Sequence, residues 1–306
     1  MPSTTRRDSS APTTSRGLQQ TGFFQGERAP AALVVLFVLW ACLATAVLFL
    51  LVLLVTTFVD GQEMFSWHLI TDYASSDPEQ AGARAAILGS VWVIATTAVM
   101  TIPVCVAAAV YLEEFADHNK WWNRAIEVNV QNLAAVPSII YGLLTLGVLT
   151  ALGIVQRNIV IAGAIALSLL ILPVIIVSTR EAIRSVPNEI RQGSLALGAT
   201  QWQTTWRQVL PSSVPGIATG SILSLSRAMG EAAPLLVLGA LVFVTFDPTS
   251  IFDQFSTMPI QIFNWASRPQ AEFHQLASAT SILLLVLLLA MNAVAITIRN
   301  IYEKRW

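Results

Sequence analysis

Residues 31–58 read AALVVLFVLWACLATAVLFLLVLLVTTF, an apolar run without a single charge. About 20 such residues suffice for a helix to cross a bilayer. The apolar stretch of a cleaved signal peptide is only about 7–15 residues long. The run is therefore a spanning helix. The rest of the chain agrees. Of 306 residues, 55% are hydrophobic and only 11% charged, with a mean hydropathy of +0.65. A soluble domain carries about a quarter charged residues. The net charge of −1 implies no bulk binding to polyelectrolytes such as nucleic acid. Cys42 and Cys105 sit in apolar runs and suggest neither a disulfide framework nor a metal site. His68, His118 and His274 lie far apart, outside the apolar runs, and form no metal-ligand spacing or catalytic triad.

Further apolar segments over 86–112, 126–150, 158–178, 214–244 and 276–298 predict six spans in all. The fold class is thus an all-α polytopic membrane bundle. Residues 1–30, rich in Ser, Thr, Arg and Gln, read as a disordered tail. The third segment is the least apolar. It holds Asn129, Gln131, Asn132 and Pro137, which predicts packing inside the bundle and hydrogen bonding between helices, with substrate contact as the alternative. Pro103, Pro137 and Pro173 fall within spans, where membrane helices tolerate them.

Cationic residues set the orientation. With six spans, the two termini and the second and fourth loops share one side. That side holds Arg6, Arg7, Arg16, Arg28, Lys120, Arg124, Arg180, Arg184, Arg191, Arg207, Arg299, Lys304 and Arg305. The opposite side holds Arg84, Arg157 and Arg268. Both termini are expected in the cytoplasm, with 299–306 a short cytoplasmic tail. The external loops 59–85 and 245–275 form an acidic outer face. Glu113, Glu114 and Asp117 read as a solvated face beside Lys120 and Arg124, and Trp121 and Trp122 as interface markers.

The fourth loop is REAIRSVPNEIRQGSLALGATQWQTTWRQVLPSSVPG, 180–216. Its periodic Ile183, Val186, Ile190, Leu195 and Leu197 predict two or three short amphipathic helices against the membrane face. Such helices could merely cover the bundle. Within the loop, LALGATQWQTTWRQVLP resembles the EAA loop of type I ABC importer permeases. There the family's Gly corresponds to Gly198 and its E-A-A positions to Gln192, Gly193 and Ser194, so Gln stands where Glu is usual. YLEEFA at 111–116, VPSIIYGLLTLG at 136–147, SRAMGEAAPL at 226–235 and MPIQIFNWASRP at 258–269 are similar to the PstA type of phosphate-importer permease.

The resemblance implies a type I permease fold over 86–298, including a cytoplasmic coupling loop at 180–211, preceded by the first helix and an external loop over 31–85. It implies docking of the ATPase through Gly198, Ala199, Thr200, Gln192 and Glu181; Glu181, Arg184 and Glu189 could equally just pair on a helix surface. The implied partners are a PstC-like second permease, two PstB-like ATPase subunits, a PstS-like phosphate-binding protein and membrane lipid, in a bacterial cytoplasmic membrane. The chain has no G-x-x-x-x-G-K-[ST] motif, so it is not expected to be an enzyme or to hold a cofactor; ATP would be bound by the partner subunits. Another oxyanion or small solute, the paired PstC-type subunit and a passive anion channel stand as alternatives.

Arg227 is the one cation inside a span. An Arg at mid-membrane costs roughly 3 kcal/mol on insertion scales. On the helix expected over 214–244, Gly220, Leu223, Ser224, Gly230, Glu231 and Pro234 share its face. Glu231 one turn on offsets part of the cost. Two readings are open. The pair fixes helix packing, or Arg227, Glu231 and Ser224 line an anion path in which Glu231 keeps binding weak enough for release. The Gly216-x-x-x-Gly220 spacing also predicts close helix approach.

Overall fold

The computed structural model describes residues 30–117, 119–154, 156–240 and 243–302. The N-terminal tail and the last four residues lie outside this range, as does His118. Contacts divide the chain at Leu53/Leu54, so that most of the first helix stands as a unit by itself.

That helix, α1 (Pro30–Gly61), runs without interruption. A short helix α2 (Trp67–Thr71) lies in the loop between α1 and α3. Then come α3 (Arg84–Val110), α4 (Trp121–Leu133), α5 (Ser138–Ala151), α6 (Val160–Arg184) and α7 (Asn188–Ala196). The chain continues through α8 (Gln201–Thr204), α9 (Leu210–Met229), α10 (Ala233–Val237), α11 (Met258–Ala266) and α12 (Ala271–Tyr302). Five helices among the described residues are long and apolar enough to cross a membrane, or six if α4 and α5 count as one span.

Helix α6 is the centre of the second unit, packed on α3, α9 and α5. Its small residues Ala162, Ala164 and Ala166 are fully buried and let neighbouring backbones approach. On α9, a methyl group added to Gly216 would lie 2.7 Å from the Ala182 Cβ. One added to Gly220 would lie 2.6 Å from the Ser178 hydroxyl oxygen. The close approach expected from the Gly-x-x-x-Gly spacing is therefore made, and α6 is the partner. The loop between α10 and α11 laces onto the start of α6. Val160 N–H donates to the Asp253 carbonyl (3.1 Å) and Ile161 N–H to that of Ile251 (2.9 Å), satisfying donors that a helix start leaves free. The Asp253 carboxylate accepts from the Thr249 and Ser250 N–H groups, both at 2.8 Å. The Thr249 backbone donor first, then its hydroxyl and Ser250, hold that carboxyl below the usual range.

Three expectations need correction. The third span is not one helix, since α4 and α5 meet at 111° around residues 134–137. Pro137 has no N–H and disfavours a helical residue before it, so the break falls there. Asn129 bonds its own helix at Ala125 O (2.8 Å), while Gln131 and Asn132 are exposed rather than packed inside. The fifth span begins at Gln201, not at 214, and ends at Met229. Gly230 caps it, Pro234 sits in the first turn of the separate α10, and Gly239 (φ +81°) follows that helix. Much of the loop 180–211 therefore belongs to the spans, because α6 reaches Arg184 and α8 leads through a π-helical turn (205–209) into α9. One separate short helix remains, α7.

Candidate functional site

Because α9 stops at Met229, Arg227 lies in its last turn and Glu231 just beyond it. A cation there is favoured by the helix dipole. The two residues do not share a helix face, and no ion pair within 4.0 Å joins them. This overturns the expected one-turn pairing. Both still line one cavity of about 220 Å³, together with Ser224. Its other walls are the α4–α5 break (Leu133 to Tyr141) and Leu170, Ile171 and Val174 of α6. The Ser224 hydroxyl donates to the Gly220 carbonyl (2.8 Å), leaving its oxygen free to accept. The Glu231 Oε1 accepts from the Ser138 hydroxyl at 2.9 Å. The Tyr141 hydroxyl donates to Leu133 O (2.6 Å) and ties the two sides of the break. A guanidinium with no ion-pair partner among the described residues, in a small space that also holds polar side chains, is a group able to meet an anion.

Sequence reasoning missed Ser138 and Tyr141 as cavity residues. The signal was Pro137, which breaks the span and turns the next residues toward α9.

At the far end of α3 the chain forms a π-helical turn, Tyr111–Phe115. Its two glutamates are not a solvated face. The Glu113 and Glu114 side chains are only 12% and 9% exposed. Glu113 takes both Arg184 Nε and Nη2 (2.9 Å each) and Arg180 Nε (3.1 Å). Arg180 also reaches Glu127 on α4 (2.8 Å). Glu114 takes Arg191 (2.8 Å), whose other donors satisfy the Ile183 and Val186 carbonyls at the end of α6. One ion-paired cluster thus clamps α3, α4, α6 and α7 together.

Beside this clamp lies the turn between α7 and α8. Gly198 adopts φ +86°, a region that favours glycine. Its N–H donates to Leu195 O (2.9 Å) and the Ala199 N–H to Ser194 O (3.3 Å), the bonding of a Schellman cap. Thr200 then caps α8 in a reciprocal box with Gln203. The result is a fixed corner with a greasy rim. Leu197 is 91% exposed, and Leu195, Trp202 and Trp206 are exposed too. The Trp202 and Trp206 rings stack at 5.8 Å. Gln192 and Thr200 are exposed and Ala199 half-buried on the same corner. Glu181 is exposed on α6 and lies 3.5 Å from Arg184.

The architecture and sequence have relatives. Residues 104–306 match the family described as "Binding-protein-dependent transport system inner membrane component". The chain is 33% identical to a probable ABC transporter permease protein, YqgI, of Bacillus subtilis, over 78% of this chain and 84% of that one. It is 32% identical to the phosphate transport system permease protein PstA 1 of Mycobacterium tuberculosis (strain H37Rv), over 74% of this chain and 73% of the relative. The PstA protein of Yersinia pestis is 31% identical over 83% of each. Among solved structures, a chain of a bacterial alginate ABC transporter superposes with a TM-score of 0.60 at 16% identity, covering 91% of this chain and 99% of that one. A chain of the MetNI methionine transporter gives 0.55 at 18% identity, over 75% and 100%. The fold is that of type I ABC importer permeases, and the chain belongs to the family of inner membrane components of binding-protein-dependent transport systems.

Proposed function

We propose that this protein is the PstA-type permease subunit of an ATP-driven phosphate importer. The observation that carries the reading is Arg227, which lines the cavity at the end of α9 and has no ion-pair partner within 4.0 Å among the described residues. Phosphate offers the guanidinium a bidentate acceptor. Glu231 in the same cavity opposes tight retention of an anion, which a conduit needs. Relatives bearing the PstA name support phosphate over other oxyanions.

A permease of this family works with an ATPase and a binding protein. In this reading they are two PstB-like subunits and a PstS-like protein, with a PstC-like chain as second permease. The corner of Gln192, Gly198, Ala199 and Thr200, with Glu181 nearby, is the ATPase contact. Its exposed Leu197 favours that reading over a passive channel, which has no use for a docking corner. ATP is bound by the ATPase subunits, and this chain needs no cofactor. Both termini lie in the cytoplasm, on the side of the coupling corner.

The test is uptake of radiolabelled phosphate in cells that lack other phosphate importers and express this chain with its three partners. Phosphate uptake that excess sulfate fails to suppress supports the reading. Uptake that sulfate displaces assigns the chain to another oxyanion. Uptake independent of the ATPase subunits makes it a channel.

A further inference from the structure

Arg227 and Glu231 line the same cavity without an ion pair, and the Glu231 carboxylate has another partner. Ser138 is the first residue of α5, directly after the Pro137 break. Its hydroxyl hydrogen is committed to Glu231 Oε1 at 2.9 Å. The two segments involved are held in register. A methyl group on Gly142, one turn into α5, would lie 2.5 Å from the Pro234 carbonyl oxygen at the start of α10. The Tyr141 hydroxyl anchors the same turn to Leu133 O. On the other side, the Glu231 N–H is bonded to Ala228 O (3.1 Å). Ser138 therefore meets Glu231 because two backbones are locked against each other.

We propose that Ser138 is a positioning residue of the anion path: its hydroxyl holds the Glu231 carboxylate off the Arg227 guanidinium and so keeps that fork free for an oxyanion. The inference rests on the reading of Arg227 as an anion contact. A carboxylate and a guanidinium attract strongly where water is scarce, and a bidentate pair would occupy the donors that the substrate needs. A hydroxyl offers one hydrogen and no charge. It can restrain the carboxylate without competing for the anion.

The test is a cycle of uptake measurements on the assembled importer, with assembly checked by co-purification. Ser138→Ala should lower phosphate uptake about tenfold or more, the order expected for losing a hydrogen bond to a charged group. Ser138→Thr keeps the hydroxyl and should retain most uptake. In a Glu231→Gln background the Ser138→Ala change should have no further effect. Equal losses in both backgrounds would mean that Ser138 meets the anion itself and would overturn the inference, as would normal uptake by Ser138→Ala alone. A structure of the assembled Ser138→Ala variant gives a readout independent of uptake. It should contain an Arg227–Glu231 ion pair within the 4.0 Å that is absent here, and a pair still open would contradict the proposal. Arg227→Lys, measured in parallel, separates the two levels. Full uptake by Arg227→Lys removes the anion path, whereas impaired uptake there with a neutral Ser138→Ala removes only the positioning role.

Discussion

Gly220 of α9 faces Ser178 of α6 so closely that an added Cβ would lie 2.6 Å from the serine hydroxyl oxygen and 2.8 Å from its Cβ. Small residues at such crossings let membrane helices bond through backbone proximity and dispersion rather than the hydrophobic effect, which lipid largely cancels. Gly220→Ala should therefore destabilise the bundle by about 1–3 kcal/mol, the usual cost of overpacking. Gly220→Leu should block assembly. Adding Ser178→Gly to Gly220→Ala should recover part of the loss. Thermal unfolding in lipid nanodiscs checks this, and an unchanged midpoint for Gly220→Leu would show that the crossing is not tight.

The cluster around Glu113 should behave as one unit. Removing one partner of a buried ion pair leaves an uncompensated charge and costs about 3–5 kcal/mol. The Arg180 side chain is 9% exposed and meets both Glu113 and Glu127. Arg180→Ala and Glu113→Ala should each lower the unfolding midpoint strongly. Their effects should be non-additive in the double variant. Glu181→Ala removes only an exposed pair and should cost less than about 1 kcal/mol. Melting curves of the four variants decide it.

Gly198 should be intolerant of any side chain for a backbone reason. A methyl group there meets nothing within 4 Å, yet φ is +86°. A left-handed conformation costs an L-residue roughly 1–2 kcal/mol. Gly198→Val should insert and fold, because the corner lies outside the buried core, but should turn Leu197 and Thr200 away from their positions. Co-purification of the ATPase should fall severalfold while stability falls by no more than about 1–2 kcal/mol. Full retention of the ATPase would remove this corner from coupling.

Different parts of this protein were legible in the sequence for different reasons. The uninterrupted apolar runs of α1, α3, α6 and α12 announce themselves, because length and composition alone decide whether a helix can span a bilayer. Breaks were less visible. Hydropathy over 214–244 stays high through Gly230 and Pro234, so the apolar pattern hid the end of α9 and made Arg227 and Glu231 look like helical neighbours. The start of that helix was hidden for the opposite reason. Gln201 to Arg207 carry too many polar residues to look like part of a span and suggest a short surface helix, yet the Thr200–Gln203 capping box begins the spanning segment there. The glutamates of YLEEFA could be placed near a membrane surface but not paired, since their partners Arg180, Arg184 and Arg191 lie 67 to 77 residues away. Only packing of α3 on α6 brings them together.

The central claim is that Arg227 is a contact for phosphate rather than a packing device. The direct measurement is radiolabelled phosphate uptake by the double variant Arg227→Gln/Glu231→Gln, in cells without other phosphate importers, with recovery of the full complex verified. Two neutral amides of similar size fill the same cavity, so packing survives while the anion contact is lost. The account predicts an assembled complex that moves no phosphate above background, and Arg227→Lys impaired as well because the ammonium lacks the bidentate fork. Wild-type uptake by the assembled double variant would contradict it and leave packing as the role of the two charges.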